Sequence, residues 1–163
     1  MRVLGIDPGT IIMGYGVIDS QDSDVSLIEF GALKTKERSP MGERLSYLYG
    51  QLMQIIAEYK PDVVAVEQPF VAKNVKSALA IGKAQAVAIL AAANNKIPCF
   101  EYTPREIKQR VANYGASSKE QIQQMVMLQF GLTQVPDPPD AADALAVALC
   151  HLQAAHLDNL LNQ

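Results

Sequence analysis

Two acidic residues each close a short apolar run: Asp7 follows residues 3–6, and Glu67 follows residues 63–66. Such runs read as buried strands, and in open α/β sheets functional groups gather where strands end at their carboxyl edge. Two acids in matching places can therefore lie side by side. A further pair, Asp140 and Asp143, stands three residues apart in Asp140-Ala141-Ala142-Asp143, and that spacing puts both on one helix face with alanines leaving room around them. Prolines 136, 138 and 139 place Asp140 at or near the helix start, where the dipole favours ionised carboxylates. For this pair alone, ordinary acid enrichment at a helix start explains the pattern equally well; Asp7 and Glu67 weaken that explanation. Four carboxylates with no basic residue beside them in sequence repel, and some must take up protons. Divalent metal removes the problem. Hard Mg²⁺ prefers oxygen ligands, and two ions ~3.5–4 Å apart can activate a water on one side of a phosphodiester and stabilise the leaving oxygen on the other. The constellation points to metal-assisted phosphodiester hydrolysis rather than acyl chemistry, and no Gly-x-Ser-x-Gly elbow competes with it.

The elements that must position these acids follow from periodicity. The apolar run 3–6, the segment 15–19 and the stretch from Val25 to Thr35 read as three strands joined by short connections, an antiparallel meander. Leu45, Leu48, Leu52, Ile55, Ile56 and Tyr59 recur at three- and four-residue steps until Pro61, which predicts an amphipathic helix. A strand over 63–66 leads into an alanine-rich helix over 77–94 with a flat, small-residue surface. Residues 97–102 read as a strand, and Thr103-Pro104-Arg105-Glu106 as a capping box with proline at the first helical position. Another helix starts at Ser117 or Ser118 and ends by Gly131; the last runs from Asp140 to about His156. This order predicts a single domain over 1–163, an α/β fold with a mixed central sheet flanked by helices. It is compatible with the ribonuclease-H-like fold without singling it out.

Composition narrows the function classes. A chain of 163 residues, 49% hydrophobic, is long enough to bury about 70% of its unfolded surface. No stretch approaches ~20 uninterrupted apolar residues, and the opening residues lack the layout of a secretory signal, so a soluble cytoplasmic protein is expected. Cys99 and Cys150 lack metal-ligand spacing and read as buried free thiols. The net charge of −3 argues mildly against a nucleic-acid partner. Between positions 73 and 110, however, Lys73, Lys76, Lys83, Lys96, Arg105, Lys108 and Arg110 face only Glu101 and Glu106, so the middle of the chain is locally basic.

Three segments together resemble a known family. Gly5-Ile6-Asp7-Pro8-Gly9-Thr10 with Gly14-Tyr15-Gly16-Val17-Ile18, then Val66-Glu67-Gln68-Pro69-Phe70-Val71-Ala72-Lys73-Asn74, then Asp140-Ala141-Ala142-Asp143-Ala144-Leu145-Ala146 closely resemble the bacterial RuvC family of Holliday-junction resolvases, over nearly the whole chain to about His151. The resemblance implies a ribonuclease-H-like fold and a homodimer. It also implies paired, Mg²⁺-dependent nicking of a four-way DNA junction that leaves 5′-phosphate and 3′-hydroxyl ends. One or two ions per site are implied, with Mn²⁺ able to substitute. The family's catalytic acids, which hold the metal, fall on Asp7, Glu67, Asp140 and Asp143. Its base-contacting aromatic falls on Phe70, which by itself reads as a core residue. Its DNA-supporting lysines fall on Lys108 and Lys119, which by themselves read as solvated. Arg105, Lys73, Lys76 and Lys83 follow as phosphate contacts, since these need only positive charge within reach of the backbone. The helix over 77–94 becomes the dimer contact, although packing on its own sheet explains its alanines equally well. A partnership with branch-migration proteins of the RuvA and RuvB kind rests on the resemblance alone. His151 and His156 lie two or more helical turns past Asp143, ~12 Å or farther along the axis, and are read as structural or exposed.

Other classes fit less well. Asp-x-Gly-Thr after a strand also resembles the phosphate loop of actin-like ATPases, but those need two lobes and a second such loop. A non-catalytic junction-binding module has no need of four acids. A ribonuclease-H-like nuclease acting on another nucleic acid remains the alternative.

Overall fold

The computed structural model describes residues 1–22, 24–70 and 74–161. Its centre is a five-stranded mixed sheet of order β3-β2-β1-β4-β5. β1 (Arg2–Asp7), β2 (Ile12–Gln21) and β3 (Asp24–Lys34) form the antiparallel meander, while β4 (Val63–Glu67) runs parallel to β1 and β5 (Cys99–Tyr102) parallel to β4. The helices are α1 (Met41–Tyr59), α2 (Val75–Asn94), α3 (Pro104–Ala112), α4 (Lys119–Gln129) and α5 (Pro139–Leu161).

Strand side chains alternate between faces, and the sheet separates two cores. Leu4, Ile6, Val64 and Val66 pack with Leu48, Leu52 and Ile56 of α1 and with Ala84, Ala88, Ala91 and Ala92 of α2. Val3, Val63 and Ala65 pack on the opposite face with α3, α4 and α5. Asp7 and Glu67 continue the second series, so both point toward the α5 side.

α5 sits unusually low on that face. From Ala141 to His151 every residue except Asp143 is buried, and two glycines make the approach possible. A Cβ on Gly5 would overlap the carbonyl oxygen of Ala144, and one on Gly14 would overlap the carbonyl oxygen of Asp140. Gly14 is the register partner of Asp7, so this contact sets the start of α5 beside the first acid.

Local signals act as expected at α3 and α4, where Thr103 with Glu106 and Ser118 with Gln121 form capping boxes. α2 starts two residues earlier than the alanine pattern indicates, because the Asn74 side chain accepts from the Ser77 amide and caps it. α5 runs five residues past His156, since nothing from 157 to 161 breaks a helix. Residues 25–35 give one strand ending at Lys34, and Gly31 stays in register opposite Tyr15. Cys150 is buried, whereas Cys99 is half-buried, correcting the expectation of two fully buried thiols; both are free. By length and composition alone α2 and α5 could cross a membrane, but both pack on the sheet as core helices.

The low seat of α5 makes a direct prediction. Gly14→Ala should cost about 1–3 kcal/mol by overpacking, read as a lowered Tm. Gly50→Ala, with nothing within 4 Å inside α1, should raise stability by ~0.5–1 kcal/mol. A Gly14→Ala variant as stable as the parent would contradict the close approach.

Candidate metal centre

The acids converge from three elements. β1 and β4 pair in parallel with Ile6 opposite Val66, which sets Asp7 and Glu67 next to each other one step further on. The first turn of α5 supplies Asp140, and Asp143 follows one turn later on the same side. Glu67 is also the register partner of Tyr102, after which the Thr103 cap turns the chain into α3 and brings Lys108 toward the same place. A cleft of about 250 Å³ is lined by Glu67, Asp143, Lys108 and Lys119 among apolar side chains such as Ile107 and Ile122.

Burial and mutual repulsion dominate the electrostatics. Asp7 is pushed up to about 9, first by burial and then by the charges of Glu67 and Asp143, with a hydrogen bond to Glu67 and the charge of Asp140 adding to the rise. Glu67 is also raised by burial, against the opposing pull of its hydrogen bond with Asp7 and the charges of Lys119 and Lys108. Burial thus pushes both acids toward the protonated form, and the hydrogen bond between them favours the proton on Asp7. Burial raises Asp143 as well, offset by Lys119, whose ammonium lies 2.8 Å from Asp143 Oδ2. That hydrogen bond keeps Lys119 charged, above its ordinary pKa.

The expectation of acids without a basic neighbour therefore holds only along the sequence, because the fold imports Lys119 from α4. Among the described residues, no three His, Cys, Asp or Glu side chains form a finished metal cage. The donor set nevertheless suits one. Carboxylate oxygens alone suit a hard divalent cation, and such an ion would relieve the repulsion that protons and Lys119 now relieve.

The other expected contacts divide clearly. Phe70, three residues past Glu67, is 66% exposed, which corrects its reading as a core residue. Lys108 and Lys119 line the cleft. Arg105 lies instead in a separate depression with Tyr114 and Asn113, and Lys76 and Lys83 are exposed on α2. Lys73 lies outside the described residues. His151 is buried, 2.8 Å from the Tyr102 hydroxyl through Nδ1, and serves packing; His156 is exposed on α5. Lys119 beside Asp143 is the feature that spacing alone could not place, since 24 residues separate the two.

A meander paired with parallel strands, covered by helices on both faces and carrying acids at the ends of β1 and β4 and on α5, defines a ribonuclease-H-like α/β protein. The family model described as crossover junction endodeoxyribonuclease RuvC matches residues 3–151. A relative of that name from Dehalococcoides mccartyi is 53% identical over 163 residues, covering 100% of this chain and 98% of its own. A solved structure described as T. thermophilus RuvC in complex with Holliday junction substrate is 32% identical, with a TM-score of 0.91 over 97% of this chain and 96% of that one. The yeast mitochondrial Holliday junction resolvase, at 17% identity and a TM-score of 0.64 over 99% of this chain and 85% of its own, shares the fold. The chain belongs to the RuvC family.

The raised carboxyls predict how stability depends on pH. Asp7 has an ordinary value of 3.8 and a folded value of about 9. Its contribution in the metal-free fold is thus fully present below about pH 4 and is lost as the pH rises toward 9. Asp7→Asn removes that liability. In chelator, the variant should melt higher than the parent at pH 8, by ~2–4 °C for each kcal/mol relieved, and the two should melt alike at pH 4. A pH-independent difference would contradict a proton held on Asp7.

Proposed function

We propose that this protein is an endonuclease that resolves four-way DNA junctions by paired, Mg²⁺-dependent hydrolysis of phosphodiesters in two strands of like polarity, in recombination and repair. The observation that carries the reading is the convergence of Asp7, Glu67, Asp140 and Asp143 in a chain of the RuvC family. The family's nucleases are metal-dependent; the choice of Mg²⁺, with Mn²⁺ able to substitute, follows from the all-carboxylate donor set. The four acids are its ligands and the catalytic residues. One or two such ions would supply Lewis acidity at the phosphate and make a neighbouring water easier to deprotonate.

The chain's own groups do the rest. Asp7 and Glu67 would hold the cation, and its charge would drive off the proton that burial favours there. Lys119 leaves Asp143 and turns its ammonium toward the phosphate, and Lys108 faces the same cleft from α3. Phe70, exposed beyond Glu67, offers a ring for a base freed from stacking at the crossover. Lys76 and Arg105 contact backbone phosphates farther out, and the family resemblance gives Lys73 the same kind of role. Hydrolysis leaves 5′-phosphate and 3′-hydroxyl ends.

Paired cutting requires two sites, and we place the dimer contact on α2. Its inner alanines pack on the sheet, while Leu79 and Leu90, 64% and 52% exposed, stand three turns apart on one outer face. The chain acts as a single nuclease domain in the cytoplasm. Cooperation with RuvA and RuvB rests on family membership alone.

Incubating the protein with Mg²⁺ and a synthetic four-way junction, beside linear duplex and RNA-DNA hybrid, should give paired, ligatable nicks on the junction only. Asp7→Asn should abolish them with junction affinity nearly intact. Phe70→Ala should slow cutting roughly 5–150-fold, the equivalent of the ~1–3 kcal/mol in one base–aromatic stack. Cutting of hybrid or duplex instead would favour the alternative ribonuclease-H-like nuclease.

A further inference from the structure

At the catalytic edge of the sheet a cleft of about 400 Å³ lies between the end of β3 and the start of α1. Lys34, Lys36 and Arg44 line it against one carboxylate, Glu43, with the hydroxyls of Thr35 and Ser39 between them. None of the three cations takes part in a salt bridge among the described residues. Arg44 Nε is buried without a hydrogen-bond partner. In a protein of net charge −3, three cations sharing one cleft with a single carboxylate leave it net positive, which suits an anion.

Its position says which anion. Arg44 Nη1 donates to Thr10 Oγ1 at 3.3 Å, and Thr35 Oγ1 donates to the Thr10 carbonyl at 2.6 Å. The cleft is thereby tied to the turn that follows Asp7. Lys34 pairs with Ile12, and Gly14 pairs with Asp7, so the cleft and the acid occupy the same end of the sheet, two strands apart. At ~4.8 Å per strand, β3 and β1 are offset by about 10 Å across the sheet, a span of a few nucleotides along one DNA strand.

We propose that the cleft formed by Lys34, Lys36 and Arg44, with the hydroxyls of Thr35 and Ser39, binds a backbone phosphate of the strand being cut, a few nucleotides from the scissile bond. This rests on the reading of the chain as a DNA nuclease. Arg44 is pre-placed by Thr10, and its partly buried guanidinium sets the geometry. The two exposed lysines supply charge. Anchoring the strand at a second point fixes the scissile phosphate against the acids and restricts sliding.

The test compares Lys34→Ala/Lys36→Ala with Lys60→Gln/Lys96→Gln, which removes two exposed charges from the connections leading into β4 and β5, at the opposite end of the sheet. Both are assayed for binding a four-way junction across a salt series, with melting temperature as the check on folding. The first variant should lower the slope of log affinity against log salt by about 1–2, and the second should leave it unchanged. Junctions carrying a neutral methylphosphonate at successive positions should weaken binding of the parent at one position about two to four phosphates from its mapped cut. That penalty should disappear in the first variant. Equal slopes for the two variants, or no position at which the penalties fail to add, would overturn the proposal while leaving a parent that still cuts the junction as proposed. A parent that neither binds nor cuts it would overturn both.

Discussion

The contact between α5 and the bare backbone of β1 and β2 governs the rest of the structure. Gly5 and Gly14 leave no side chain where the carbonyls of Ala144 and Asp140 lie, so a helix turn carrying two acids descends onto the sheet face to which Asp7 and Glu67 already point. One methyl group at either glycine would lift the helix and open the cluster. Alanines 141, 142, 144, 146 and 148, all buried, let the helix lie flat once it is down.

That closeness carries an electrostatic cost, because carboxylates drawn out of water beside one another cannot all remain charged. The metal-free protein answers in two ways. Burial favours a proton on Asp7, which hydrogen-bonds Glu67, and Lys119 reaches across from α4 to Asp143. Each offsets part of that cost. The fold thus holds a site whose local rules are violated by design of function, at the expense of stability that surrounding hydrophobic packing supplies.

Much of this was legible in the sequence because period-two alternation and strand-end position are local properties. Val3, Gly5 and Asp7, like Val63, Ala65 and Glu67, mark one face without any knowledge of the partner strand. The helix caps at Thr103 and Ser118 were equally local. What could not be read depends on tertiary meeting points. Lys119 and Asp143 approach only when α4 packs on α5, and the exposure of Phe70 follows from where β4 ends relative to its neighbours. The basic cleft at the end of β3 is diluted in the sequence by Glu37 and Glu43, and only the fold brings Lys34, Lys36 and Arg44 to one space. The extra length of α5 has no sequence signal, because its apolar periodicity fades while nothing in its last turns breaks it.

The central claim is that Asp7 and Glu67 hold a proton in place of a metal. Calorimetric titration of the protein with Mg²⁺ at pH 7, repeated in buffers of different ionisation enthalpy, counts the protons released on binding. About one proton should be released per site, and none in Asp7→Asn. Binding with no proton release, or release undiminished in that variant, would contradict it.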